Sequence, residues 1–119
     1  MSYINKKGRT SAVNKMISRQ QVSDVLSYRQ IITTHTQAKI TQVFLEKLIT
    51  LARKDTLESR RKAASFLLKT KKFSKDELLH QLFSVISPEY ADRNGGYSRV
   101  LKLDRRQGDN VEIAVLQLV

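Results

Sequence analysis

Apolar residues recur at two different periods along this chain, and the change of period divides it. Val13, Ile17, Val22, Val25 and Leu26 make an imperfect helical stripe, and Ser11 offers a hydroxyl to cap a first helix at its start. "QIITT", Gln30 to Thr34, is short and β-branched, which predicts a strand. A second helix follows, capped by Thr34 or Thr36. It carries Ile40, Val43, Phe44, Leu48, Leu51 and Ala52 at spacings of three and four, and ends around Lys54. A third helix opens at Asp55 or Thr56, with Glu58 in its first turn and an apolar face of Leu57, Ala64, Leu67 and Leu68. The run "KTKKF" then breaks the pattern. The fourth helix has the clearest start. Ser74 and Glu77 stand at capping-box spacing, and Phe73 and Leu78 stand where a hydrophobic staple closes. Leu79, Leu82, Phe83 and Ile86 form its buried stripe, and Pro88 is expected to stop it.

Beyond Pro88 the period shortens. Residues 97–104 and 111–119 read as two strands joined by the turn chemistry of "QGDN", Gln107 to Asn110. The second strand has Val111, Ile113 and Val115 on one face and Ala114, Leu116 and Leu118 on the other. An apolar residue on both faces predicts a central or covered strand. The order is helix, strand, three helices, hairpin, which is an α+β class with a small sheet packed on helices. At 119 residues the expectation is one domain, residues 1–119, with residues 1–11 as an extended basic arm that orders on a partner.

Charge changes the picture more than hydropathy does. Lys and Arg number 22 against 11 Asp and Glu, a net charge of +11. Such an excess suggests a polyanion partner, because neutralised phosphates release their counterions. The first acid is Asp24, so Lys6, Lys7, Arg9, Lys15 and Arg19 form an undiluted basic segment. With no cysteine, disulfides and thiolate zinc sites are excluded. "MSYINKKGRTS" holds no apolar h-region, and no run approaches the ~18 apolar residues of a membrane span. A soluble, cytoplasmic protein without membrane contact is therefore expected.

Catalytic chemistry is hard to assemble from these residues. His35 and His80 stand apart, neither with a second ligand at metal-binding spacing. There is no G-x-S-x-G, H-E-x-x-H or Walker pattern. The expectation is no enzyme, no metal, no cofactor and no small-molecule substrate. Gly95 and Gly96 are followed by no helix start, so they suit a sharp turn into a strand better than a phosphate cradle.

The basic residues are more informative. "KKGRTSAVNK" combines cations with hydroxyls and an amide, the groups that contact phosphate and sugar oxygens. "RKDTLESRRK" puts Arg60, Arg61 and Lys62 in one helical turn, so at least two face solvent or a partner. "RNGGYSR" sets Tyr97 between Arg93 and Arg99, where the ring either stacks on an unpaired base or fills the core. Arg105 and Arg106 lie at a hairpin end, facing either RNA or solvent.

"LITLARKDTLESRRKA", Leu48 to Ala63, followed by "RNGGYSRVLKLDRRQGDN", Arg93 to Asn110, strongly resembles the bacterial large-subunit ribosomal protein seventeen family. "KKGRTSA" is similar to that family's opening arm, "IITTHTQAK" to its strand and helix start, and "VLQLV" to its end. The resemblance runs in order over nearly the whole chain and is weakest at about Lys69 to Lys75. It implies the same helix, strand, three helices and hairpin, with a mixed sheet. It also implies a structural role on large-subunit rRNA of the 23S type, near the peptide exit region, among neighbouring ribosomal proteins. The chain departs from the family at Val13 and Asn14, where the arm commonly continues His-Arg; two contacts to phosphate or base are lost there. The RNA-binding set expected on both grounds is Lys6, Lys7, Arg9, Lys15, Arg19, Arg60, Arg61, Arg93, Tyr97, Arg99, Arg105 and Arg106. The competing readings are a free nucleic-acid-binding regulator and, more remotely, an RNA-modifying enzyme. "IITT" between the first two helices speaks against a helix-turn-helix.

Overall fold

A computed structural model describes residues 11–119. The expected arm, with Lys6, Lys7 and Arg9, lies outside the described residues except for Ser11, which begins a helix. That helix, α1, spans Ser11–Tyr28 and stops where Arg29 turns left-handed at φ 72°. Strand β1 is Gln30–Thr34. Thr34 then caps α2, His35–Lys54, by accepting from the Gln37 N–H, and Asp55 ends α2 at φ 47°. Thr56 and Ser59 cap α3, Leu57–Phe66, through reciprocal bonds of 3.1 and 2.9 Å. Ser74 and Glu77 do the same for α4, Lys75–Gln81.

Pro88 does not stop α4. The helix continues through a π turn, Leu82–Ile86, into a last α turn, α5, Ser87–Glu89, which contains the proline. A proline lacks the N–H of a helix interior and crowds the carbonyl four residues back. The π turn widens the backbone just there, with the Ser87 N–H reaching Leu82 O. The chain leaves the helix after the proline instead of before it.

The sheet is antiparallel throughout, in the order β1-β3-β2, with β2 at Ser98–Arg105 and β3 at Glu112–Leu118. This corrects the mixed sheet that the family resemblance implied. Strands β1 and β2 do run the same way, but β3 lies between them, with Val115 opposite both Ile32 and Leu101. Strand β3 is thus central, as its two apolar faces required. Its Ala114 and Leu116 are fully buried against the helices.

One buried cluster joins these parts. It holds Val22, Val25 and Leu26 of α1, Leu45, Leu48 and Ile49 of α2, and Leu78, Leu82 and Ile86 of the last helix. Two faces differ from expectation. Ile40 and Val43 are 44% and 53% exposed, because α2 turns Ala38, Thr41, Leu45, Leu48, Ile49 and Ala52 inward. Thr41 is the reason: it is fully buried, donates to Gln21 Oε1 at 2.7 Å and accepts from Gln37 Nε2. A hydroxyl so satisfied belongs to the core face although it reads as polar. Likewise α3 turns in Ser59 and Ala63 and leaves Leu57 66% exposed.

Candidate nucleic-acid interface

Each basic side chain is defined by what already holds it. On α1, Lys15 and Arg19 are one turn apart and share a face. Lys15 is exposed, with no ion-pair partner among the described residues. Arg19 is anchored. Its Nε donates to Phe66 O at 2.8 Å and Nη2 to Ser65 O at 3.0 Å, so it closes the C-terminal end of α3, and it lies over the Phe66 ring at 6.0 Å. The guanidinium still has donors beyond those two. Lys47 of α2 and Lys62 of α3 line the same groove as Lys15 and Arg19. The fold therefore gathers cations from three helices along one edge.

The Arg60–Lys62 triplet separates by partner. Arg60 pairs with Asp55 at 2.8 Å and lies 5.1 Å from the Phe83 ring centre. Lys62 pairs with Glu58 at 3.2 Å. Arg61 is exposed, and no acid among the described residues meets it. All three are on the surface, and exposed pairs of this kind are worth about 0–1 kcal/mol, so Arg60 and Lys62 can exchange a carboxylate for a phosphate at little cost.

At the glycine pair, φ is 144° at Gly95 and 65° at Gly96, a turn that leads straight into β2. Arg93 braces it by donating to Gly96 O at 3.1 Å. The turn drives Tyr97 inward. Tyr97 is 2% exposed, meets Tyr90 edge-on at 5.4 Å, and accepts from Arg53 Nη1 at 2.7 Å. Its N–H donates to the Glu46 carboxylate. Tyr97 is therefore removed from the RNA-binding set: a ring packed on all sides has no face left for a base. Arg99 alternates to the open side of the sheet, where its Nε donates to Gln117, which in turn donates to Gln30 at 3.0 Å.

The hairpin end is ion-paired. Arg105 meets Glu112 at 3.1 Å, and Arg106 meets Asp109. The Arg106 guanidinium, with the Val111 N–H, holds the Asp109 carboxyl below the usual range, and Asp109 raises Arg106 in return. Both arginines are exposed, and like Arg60 and Lys62 they can exchange a carboxylate for a phosphate at little cost.

Sequence reasoning missed Lys47 and the lysines between α3 and α4. Lys69, Lys71, Lys72 and Lys75 are all exposed, and Lys72 lies over Phe73 at 5.4 Å. Their signal was present as "KTKK", a dense cationic run between two helices. Lys47 stands beside Leu48 and Leu51 in a helical pattern, which marks it as the rim of an apolar stripe. Elsewhere, His80 Nδ1 meets Ser84 Oγ at 3.4 Å. No group of three or more His, Asp or Glu among the described residues could hold a metal ion. No helix among them is long and apolar enough to cross a membrane.

Comparison with known proteins adds a family. The model for ribosomal protein L17 matches residues 17–119. The chain is 60% identical over 119 residues to the large ribosomal subunit protein bL17 of Ureaplasma parvum serovar 3, covering 100% of both chains. It is 56% identical to the bL17 of Malacoplasma penetrans, again over 119 residues and 100% of both. With the bL17 of Ligilactobacillus salivarius it shares 42% over 127 residues, 100% of this chain and 99% of that one.

Proposed function

Because the chain belongs to the ribosomal protein L17 family, whose members are structural parts of the large ribosomal subunit and not enzymes, we propose that it holds large-subunit rRNA by cation–phosphate contacts. The observation that carries this reading is the edge where Lys15, Arg19, Lys47 and Lys62 converge from three helices without an acidic residue lining the groove. Arg61 extends it on α3, and the lysines at 69–75 supply a second cationic surface. Such contacts neutralise crowded phosphates and position the protein without reading sequence. Lys6, Lys7 and Arg9, of a basic arm before α1, add phosphate contacts in this account, and Arg60, Arg93, Arg99, Arg105 and Arg106 are secondary ones. The protein works as a single domain in the cytoplasmic ribosome, near the peptide exit region and against neighbouring ribosomal proteins.

The test is sedimentation of cell lysate through a gradient at moderate salt. The chain is expected to travel with large subunits. If it stays at the top of the gradient, the ribosomal reading fails and a free nucleic-acid-binding regulator replaces it.

A further inference from the structure

The groove at the converging cations has a floor as well as a rim. Phe44 of α2 and Phe66 of α3 stack with ring centres 5.7 Å apart at 25°, and both are only partly buried. Leu48 and Leu51 complete the floor, in a volume of about 300 Å³. That is the small end of ligand-site sizes. Arg19 makes a fixed wall, held by the two carbonyls of α3. We infer that this groove is a socket for one unpaired nucleotide of the rRNA, with the base against Phe44, since Phe66 already carries Phe44 and Arg19, and the phosphate among Lys15, Lys47 and Lys62.

An aromatic face accepts any base by stacking, and lysines at its edge neutralise the adjoining phosphate. A groove that is apolar at the bottom and cationic around the top matches the two halves of a nucleotide. An apolar protein segment would satisfy the floor and leave the rim unpaired. Lys62 is available because its pair with Glu58 is held at the surface, 60% and 78% exposed. The inference deepens the rRNA reading and rests on it.

Two experiments test it. In the first, the photoreactive p-benzoylphenylalanine replaces Phe44 in chains assembled into intact large subunits. Irradiation should give a cross-link to rRNA at one nucleotide, seen as a reverse-transcription stop. Capture of a ribosomal protein alone, or of nothing, would sink the socket. In the second, Phe44→Leu keeps apolar bulk and removes the ring. Its affinity for protein-free large-subunit rRNA should fall by about fivefold or more, measured well below a melting temperature that drops by only a few degrees. Lys47→Gln, at an exposed position, should weaken binding and make its salt dependence shallower by roughly 0.7 to 0.9 log units per log unit of salt. Unaltered affinity in both variants refutes the socket and leaves the rRNA reading standing. Failure of the wild-type chain to bind the rRNA refutes the rRNA reading itself.

Discussion

The Tyr97 hydroxyl lies 2.7 Å from Arg53 Nη1 inside a ring packed against Tyr90. Tyr97→Phe removes that acceptor, but Arg53 keeps Ala91 O at 3.2 Å and part of its contact with water. The expected loss is about 1 kcal/mol, read from the urea midpoint, with rRNA affinity unchanged. A fall in affinity at equal stability would return Tyr97 to the RNA face. Glu89 gives a pH effect of known sign. Its hydrogen bond to Arg29, at 2.8 Å, holds the carboxyl below its usual range. The stabilisation is therefore present at neutral pH and fades as the pH falls through that depressed value. The pair is 42% and 45% exposed, so only a few tenths of a kcal/mol are at stake. Asp24 has the opposite sign, since burial raises its pKa and the folded state gains as that group takes up a proton. Comparing wild type with Glu89→Gln isolates the first effect: their stability difference should shrink toward zero as the pH drops below about 4.

Elements were legible where their signals are local. The Ser74–Glu77 box, the end of α2 at Lys54, the cap of α2 at Thr34, one of the two threonines considered, and the β-branched run of β1 each depend on a few adjacent residues, and each stands where the sequence put it. Ser74→Ala should cost about 1 kcal/mol of stability, measured by urea denaturation, because the Glu77 N–H then loses its acceptor at 3.3 Å. A change of a few tenths only would mean that packing alone fixes the start of α4. Facing was less legible than existence. The buried Thr41 hides one position of the α2 core face, and its partner Gln21 is twenty residues away on α1. The helical course through Pro88 depends on a π turn that no periodicity announces. The same limit applied to the interface. Arg60, Arg105 and Arg106 read alike with Arg61, yet three of these four have carboxylate partners. Tyr97 among arginines left both stacking and the core open; the turn at Gly95 and Gly96, with φ positive at both, sends it to the core.

Across the whole molecule the dominant feature is positive charge. A net charge of +11 is spread unevenly, since acids neutralise Arg29, Arg60, Lys62, Arg105 and Arg106 locally. Among the cations without such partners, Lys15, Arg19 and Lys47 line the groove between α1, α2 and α3, and Lys69, Lys71, Lys72 and Lys75 cluster about the turn into α4, while others, such as Lys39, Lys54 and Lys102, stand apart. Removing the basic residues ahead of α1 should lower affinity evenly across RNA sequences, because phosphate contacts position the chain without reading bases. If several phosphates are held at once, binding to rRNA must weaken steeply as salt rises. The affinity of the full chain for protein-free large-subunit rRNA, measured from about 50 to 200 mM salt, should fall with a log–log slope near −4 or steeper. Deleting residues 1–10, with Lys6, Lys7 and Arg9, should make the slope shallower by about two to three units. A slope near zero for the full chain would rule out multiple phosphate contacts.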